Sequence, residues 1–215
     1  MTSPRRGFLR TLSLGLGAIV GVPKLLSATP PNLGATSASE RWLKGLSGEH
    51  KQFFDVAVHG SGSPLLRAAN FLNAYGNAYG LEDSDVNVIF GAHGTGLALV
   101  LDDKTWSHYM LGAHYGVQDP TTNAPAVRNI YSGVGSASSI EHSLAGLQKR
   151  GVRFLGCMQT VARLSNALAA RTGEPQSAVS AALLAGFLPG VTAVPAMIVA
   201  VNRAQESGLT YVHVG

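Results

Sequence analysis

The sequence has one cysteine, Cys157, among its 215 residues, and only 13% of its residues are charged. A single cysteine excludes an internal disulfide, so this thiol is either buried and inert or exposed for a chemical reason. The motifs G-x-S-x-G, H-E-x-x-H and Gly-Lys-Ser/Thr are all absent. Their absence argues against an α/β-hydrolase, a zinc protease and a P-loop nucleotide-binding protein.

The basic residues are unevenly distributed along the chain. Arg5, Arg6, Arg10 and Lys24 all precede the first acidic residue, Glu40. The chain from Glu40 onward carries 12 basic and 12 acidic residues, because the full sequence has 16 and 12. A formal charge near zero gives no electrostatic footprint for nucleic acid or anionic lipid. We therefore expect no nucleic-acid partner.

The N-terminal segment resembles a twin-arginine export signal. Residues 3–10, Ser-Pro-Arg-Arg-Gly-Phe-Leu-Arg, follow the pattern of that signal, and the apolar run 12–22 is too short to be a permanent membrane span. We predict that residues 1–38 are the signal and a flexible mature N-terminus, and that residues 39–215 form one periplasmic domain without stable membrane insertion after cleavage. A signal anchor that is never removed and an ordinary secretion signal are the alternatives.

Strand and helix patterns alternate along residues 39–215. Strand signals occur at residues 53–58, 86–90, 152–155, 188–194 and 209–214. Helical spacing of apolar residues occurs at 65–79, 104–111, 140–150, 158–171, 176–185 and 195–207. Parallel strands connected by right-handed helical crossovers form a three-layer α/β/α domain with a largely parallel sheet.

Two segments of this domain are less clear. Residues 97–101 are apolar and fit either a strand or a helix. Residues 112–139 are rich in Gly, Pro, Asn, Thr and Ser and show little periodicity, which makes them the least core-like stretch. Loops of that length in compact domains tend to be functional or mobile.

Cys157 lies between a predicted strand and the first turn of the next helix. Backbone N–H groups and the helix dipole at such a position favour a thiolate over a thiol, which is the setting of a reactive cysteine. The competing interpretation is packing, because free cysteine is among the most buried residue types.

His93 follows the second predicted strand, so we expect it at the same edge of the sheet as Cys157. There it would stabilise a thiolate or transfer a proton, unless it is a structural histidine that binds the loop backbone. We predict Cys157 and His93 as the catalytic residues.

Four residues beside these two are predicted to contact a ligand. Gly94 and Gly96 form a tight turn after the second strand, although their spacing departs from the dinucleotide-binding fingerprint. Gly156 and Met158 flank the cysteine. His108, His114 and His142 do not have the spacing of a metal site, and no Cys pair or H-E-x-x-H pattern completes one, so we predict no metal. We also predict no cofactor.

Three stretches are similar to the DsrE/DsrF-like superfamily of small α/β proteins, named for members of sulfur-oxidation and sulfur-relay systems. They are VNVIFGAHGTGLALVL from Val86, RGVRFLGCMQTVARL from Arg150 and LPGVTAVPAMIVAVNRAQESGLTYVHV from Leu188. The resemblance implies a five-stranded, largely parallel sheet, a homo-oligomer and, in sulfur-handling members, a cysteine that carries a persulfide. Cys157 matches that cysteine, and His93 lies where relatives often have a His-Gly pair.

The leading hypothesis is therefore an exported protein that handles sulfane sulfur as a persulfide on Cys157, with a periplasmic protein of sulfur metabolism as a partner. A non-catalytic module that binds a small ligand is one alternative. A structural subunit that is exported together with an enzyme is another. Cys157 is inert in both alternatives.

Overall fold

Five parallel strands form one sheet in the computed structural model, which describes residues 40–133 and 140–215. The strands are β1 His50–Val56, β2 Val86–Ala92, β3 Arg153–Cys157, β4 Val191–Val194 and β5 Thr210–Val214. The α-helices are α1 Ser63–Tyr79, α2 Asp103–His108, α3 Leu111–Tyr115, α4 Leu144–Lys149, α5 Met158–Thr172, α6 Gln176–Ala185 and α7 Met197–Glu206.

The strand order is β4-β3-β2-β1-β5. Helices α1 to α6 belong to one core cluster, which contains Phe54 and Phe90 from the sheet. Helix α7 belongs to a second cluster with Phe53 and Ile89, the residues that alternate with them. Because successive side chains of a strand point to opposite faces, the helices cover both faces of the sheet. The predicted three-layer α/β/α fold is confirmed.

The crossovers explain this unequal distribution of helices. Strands β1 to β4 are added in one direction, and the chain then returns across the sheet through α7 to place β5 beside β1. Right-handed crossovers in opposite directions place their helices on opposite faces. The face of α7 is also covered by Trp42, whose ring lies edge-on to Phe53 at a centroid distance of 6.4 Å. Arg153 donates a hydrogen bond to the Trp42 carbonyl and holds this segment against the sheet.

Helices α1 and α5 end where the sequence predicts, whereas the helix predicted at 104–111 is divided into α2 and α3, and the one predicted at 140–150 is a 3₁₀ turn followed by α4. Gly80 ends α1 with a φ of +68°, and Gly173 ends α5 with a φ of +78°. Glycine adopts this left-handed conformation without the steric cost of a Cβ atom. Pro175 directly precedes α6.

Residues 97–101, for which strand and helix both remained open, lie mostly within a 3₁₀ helix, Gly94–Val100. Residues 96–100 are all buried. A segment that is apolar and buried on every side has no polar face, so its sequence carries no periodicity that separates a helix from a strand.

The stretch 112–139 was predicted to be the least core-like part of the domain, but part of it lies in the core. Helix α3 includes its first residues, residues 134–139 lie outside the described ranges, and the remainder is largely irregular. Several of its side chains nevertheless belong to the first core cluster: Val117, Ala126, Ile130 and Tyr131. Irregular backbone is therefore no sign of an exposed loop here.

The side chain of Asn129 makes buried hydrogen bonds to the backbone in this stretch. Its side-chain amide is 1% exposed and donates to the carbonyls of Leu99 at 3.0 Å and Leu101 at 2.7 Å. Its side-chain oxygen accepts the backbone N–H of Tyr131 at 2.9 Å. One side chain thus joins the irregular stretch to the end of the 3₁₀ helix.

Residues 1–38, for which an export signal is predicted, lie outside the described residues. Among residues 40–133 and 140–215, no helix is both long enough and apolar enough to cross a membrane.

Candidate functional site

Cys157 lies where adjacent connections leave the sheet on opposite sides. It is the last residue of β3 and pairs with Val194, the last residue of β4. Helix α5, which follows β3, packs in the first core cluster, whereas α7, which follows β4, packs in the second. Ligands of open α/β sheets bind at such a switch point, beyond the carboxyl ends of the strands.

His93 extends from the neighbouring strand at the same edge. Ala92 pairs with Gly156, so His93 and Cys157 are the residues that directly follow this pair. The backbone N–H of His93 donates to the Val56 carbonyl at 3.0 Å, which fixes the start of the turn against β1. The expectation that His93 and Cys157 share one edge of the sheet agrees with this register.

Asp55 connects His93 to the edge strand β5. Its Oδ1 atom lies 2.8 Å from Nε2 of His93. Its Oδ2 atom accepts the hydroxyl of Tyr211 at 2.9 Å and lies 3.3 Å from Nδ1 of His213. Asp55 pairs with Gly91 on one side and with His213 on the other, so the parallel register brings these groups together.

The contact between His93 and Asp55 has the distance of an ion pair without the alignment of a good hydrogen bond. Nε2 of His93 is buried and has no hydrogen-bond partner by geometry, although Oδ1 of Asp55 is 2.8 Å away. Distance governs Coulomb attraction and angle governs hydrogen bonding, so the pair is held mainly by charge when the imidazole is protonated.

The carboxyl group of Asp55 is an anion in this setting. Burial alone raises its pKa, but the close approach and charge of His93 together with the contacts from Tyr211 and His213 outweigh burial, and the pKa lies below its ordinary value. Burial and the hydrogen bond to Asp55 raise the pKa of Tyr211, so the phenol remains the donor.

A lowered pKa of Asp55 makes stability depend on pH in a defined direction. The carboxylate stabilises the fold above the unfolded-state pKa, and this contribution is lost as the pH falls through the lower, folded-state pKa. We expect the difference in free energy of unfolding between wild type and Asp55→Asn to shrink from about pH 5 to about pH 2.5. Urea denaturation over this range measures it.

Glu49→Gln is the matched control, because Glu49 is exposed. Its difference from wild type should change little with pH over the same range. Parallel stability curves for wild type and Asp55→Asn would contradict the role given to this carboxylate.

A cleft of about 200 Å³ opens at this edge of the sheet. One wall is apolar and comes from α7. The other residues are polar, and they are Asp55, His93, Cys157, Gln159, Arg163 and Tyr211. A thiol, an imidazole, a carboxylate and a guanidinium group therefore line one small volume, which suits nucleophilic chemistry with proton transfer.

Other cavities are larger than this cleft or similar to it in volume, but they lack this chemistry. Two cavities of about 430 and 410 Å³ have neither cysteine nor histidine in their lining. A third, of about 190 Å³ between α2 and α6, contains His108 and Tyr109 but no cysteine. Chemical composition rather than volume identifies the cleft at Cys157 as the candidate site.

The four predicted ligand contacts lie around this cleft rather than in its lining. A Cβ atom on Gly94 would lie 2.4 Å from the carbonyl oxygen of Ala57, and one on Gly96 would lie 2.6 Å from that of Val56. The space beside both glycines is therefore occupied by the backbone of the chain itself. Gly156 faces the ring of Phe187, which packs against the first core cluster. Met158, the first residue of α5, is 42% exposed. Ligand contact by these four residues stays a prediction.

Sequence patterns did not identify the other polar side chains that line the cleft with His93 and Cys157. Asp55 carried a usable signal, because it is an acidic residue in a strand that is otherwise apolar after Gln52. No sequence signal marked Tyr211 and His213, since their contacts with Asp55 depend on β5 lying beside β1. Gln159 and Arg163, four residues apart on α5, read as an ordinary solvated helix face.

The two imidazoles around Asp55 do not form a metal site. Within residues 40–133 and 140–215 there is no group of three His, Cys, Asp or Glu side chains arranged to hold a metal ion. His93 and His213 instead contact different oxygens of the same carboxylate.

No family model matches this chain, and no curated protein matches it in sequence. A solved structure of a protein of unknown function from Methanobacterium thermoautotrophicum is similar to it, with 16% identity and a TM-score of 0.41. The match covers 77% of this chain and 99% of the other. That protein has no assigned function, so the function of this chain has to be argued from its own cleft.

Proposed function

We propose that this protein is a DsrE-like sulfur carrier that holds sulfane sulfur as a persulfide on Cys157. The proposal rests on one observation: Cys157 and His93 line the same cleft at the carboxyl edge of the sheet. Asp55, 2.8 Å from His93, supplies the third group of a thiol, imidazole and carboxylate arrangement. Asp55 acts as a positioning residue, since it contacts the imidazole of His93.

The transfer is a displacement at sulfur. His93 takes the proton of the Cys157 thiol, and the resulting thiolate attacks the outer sulfur of a donor persulfide, R–S–SH. A new S–S bond forms on Cys157, the S–S bond of the donor breaks, and its inner sulfur leaves as a thiolate. The proton on His93 then passes to that thiolate, so that Cys–SH and R–S–SH give Cys–S–SH and R–SH.

A non-catalytic function is the second candidate, and the burial of Cys157 favours it. The side chain is 3% exposed and packs in the second core cluster. In that case the cleft binds a small ligand, or the protein is a structural subunit of a periplasmic complex, and the thiol serves as packing.

Thiol chemistry on the native protein separates the two candidates. Incubation with a sulfane-sulfur donor should add the mass of one sulfur atom to the wild-type chain and none to Cys157→Ser, as measured by intact mass spectrometry. His93→Ala should slow this addition by about 100-fold, because general acid–base catalysis contributes at least that much. His108→Ala, at an exposed histidine outside the cleft, should leave the rate unchanged.

Alkylation by iodoacetamide gives an independent measurement on the same protein. Native wild type should react before it unfolds, whereas a thiol that serves only as packing reacts after unfolding. Native protein that resists both reagents would favour the non-catalytic function.

The proposal includes export through the twin-arginine pathway, a periplasmic location and a homo-oligomer. Support for self-association comes from α7, where Ile198 and Val199 are 76% and 54% exposed. Cell fractionation after Lys substitution of Arg5 and Arg6 tests export, and light scattering tests oligomerisation.

A further inference from the structure

Arg163 lines the cleft as an exposed guanidinium group. Its guanidinium group contacts the hydroxyl of Thr160 at 3.5 Å, at the limit of a hydrogen bond. None of the ion pairs among residues 40–133 and 140–215 includes Arg163. Gln159 lies one helical turn earlier on α5 and lines the same cleft, so an amide donor lies beside the guanidinium group.

The carboxylate in the cleft, Asp55, is already engaged by neighbouring side chains. Both oxygens of Asp55 have partners, His93 at one and Tyr211 with His213 at the other. The α7 wall contributes only apolar side chains. Arg163, by contrast, takes part in no ion pair among the described residues, so it is the cationic group of the lining that remains to contact an anion.

The start of α5 strengthens this preference. This 15-residue helix has no acidic residue in its first turn, and its N-cap residue Cys157 makes no capping hydrogen bond through its side chain. The first N–H groups of a helix are unpaired donors at the positive end of its dipole. An anion close to Cys157 is thus stabilised by the helix as well as by Arg163.

The volume of the cleft limits the size of that anion. About 200 Å³ is below the roughly 300 to 1,000 Å³ that sites for drug-sized ligands occupy. A compact oxyanion fits within this volume as a whole.

We propose that the sulfur donor is a small oxyanion that carries sulfane sulfur, of the thiosulfate class, with its sulfonate group bound by Arg163 and Gln159. This inference rests on the proposed function, since it names the donor for the same cysteine. The Cys157 thiolate attacks the sulfane sulfur of S–SO₃²⁻, and the S–S bond of the donor breaks with its electron pair. Sulfite leaves and Cys157–S–S⁻ remains, so atoms and charge balance without an added oxidant or reductant. Arg163 stabilises the negative charge on the departing sulfite.

Binding is tested with sodium thiosulfate in the Cys157→Ser background, where sulfur transfer cannot occur. Calorimetry should show binding, and Arg163→Gln should weaken the affinity about tenfold or more, because hydrogen bonds to charged groups are the strong ones. Arg163→Lys should retain part of the affinity as a point charge. Arg67→Gln, at an exposed arginine of α1 outside the cleft, should bind as tightly as the background protein.

Transfer is tested with two donors on the chain that retains Cys157. Arg163→Gln should slow sulfur addition from thiosulfate about tenfold or more, and should leave addition from the persulfide of 2-mercaptoethanol, which has no sulfonate group, unchanged. Equal rates with thiosulfate for wild type and variant, or equal losses with both donors, would overturn the inference and leave the sulfur-carrier function intact. Failure of both donors to modify wild type would overturn the carrier function and this inference with it.

Discussion

Asn129→Ala is expected to lower the free energy of unfolding by about 3 kcal/mol, because it leaves several buried polar groups without partners. The side chain donates to the carbonyls of Leu99 and Leu101 and accepts the backbone N–H of Tyr131. Water cannot readily replace these bonds at a side chain that is 1% exposed. The loss should also loosen the irregular stretch that places Tyr131 in the core.

Equilibrium denaturation in urea measures this effect. Asn166→Ala is the matched control, because Asn166 is an exposed residue of α5 where alanine is the better helix former. The control should be as stable as wild type or slightly more stable. A free energy of unfolding for Asn129→Ala within about 0.5 kcal/mol of wild type would show that the buried amide is not structural.

Gly94→Ala should produce a loss of similar size through the backbone. Gly94 has a φ of +52°, and an added Cβ would lie 2.4 Å from the carbonyl oxygen of Ala57. Left-handed backbone costs a non-glycine residue about 1 kcal/mol and overpacking adds about 1 to 3 kcal/mol, so we expect a loss of about 3 kcal/mol. The displaced turn begins at His93, so sulfur addition to Cys157 should also become slower.

Gly173→Ala separates the two causes. Gly173 has a φ of +78° but no atom within 4 Å of an added Cβ, so only the backbone strain of about 1 kcal/mol applies. Thermal and urea unfolding of both variants measure the difference. If Gly94→Ala and Gly173→Ala lose equal stability, the close approach of the Ala57 carbonyl has no energetic importance.

Local sequence signals predicted the regular elements well. Apolar runs and glycine stops identify β2, α5 and α6, because strand and helix patterns depend on residues within one or two turns. Residues 112–139 were less predictable. The buried side chains among residues 117–133 follow no regular period, and the Asn129 amide joins this part of the stretch to carbonyls 28 and 30 residues earlier.

The candidate site also has a part that could be predicted from the sequence and a part that could not. Cys157 and His93 could be identified because each follows a strand in the sequence, and parallel strands end at a common edge. The link between Asp55 and Tyr211 joins residues 156 positions apart. It depends on the crossover that brings β5 next to β1, and a pattern along a single sequence does not contain that information.

The two sides of the cleft differ in their capacity for local opening. Strand β3, which carries Cys157, has a hydrogen-bonded neighbour on each side, whereas β5 pairs only with β1 and exposes its first four residues. Edge strands with few buried contacts separate at a free energy below that of global unfolding. Transient fraying of β5 would release Tyr211 and His213 from Asp55 while the four other strands stay paired. The side of the cleft formed by β5 is therefore able to open locally while the side that carries Cys157 stays paired.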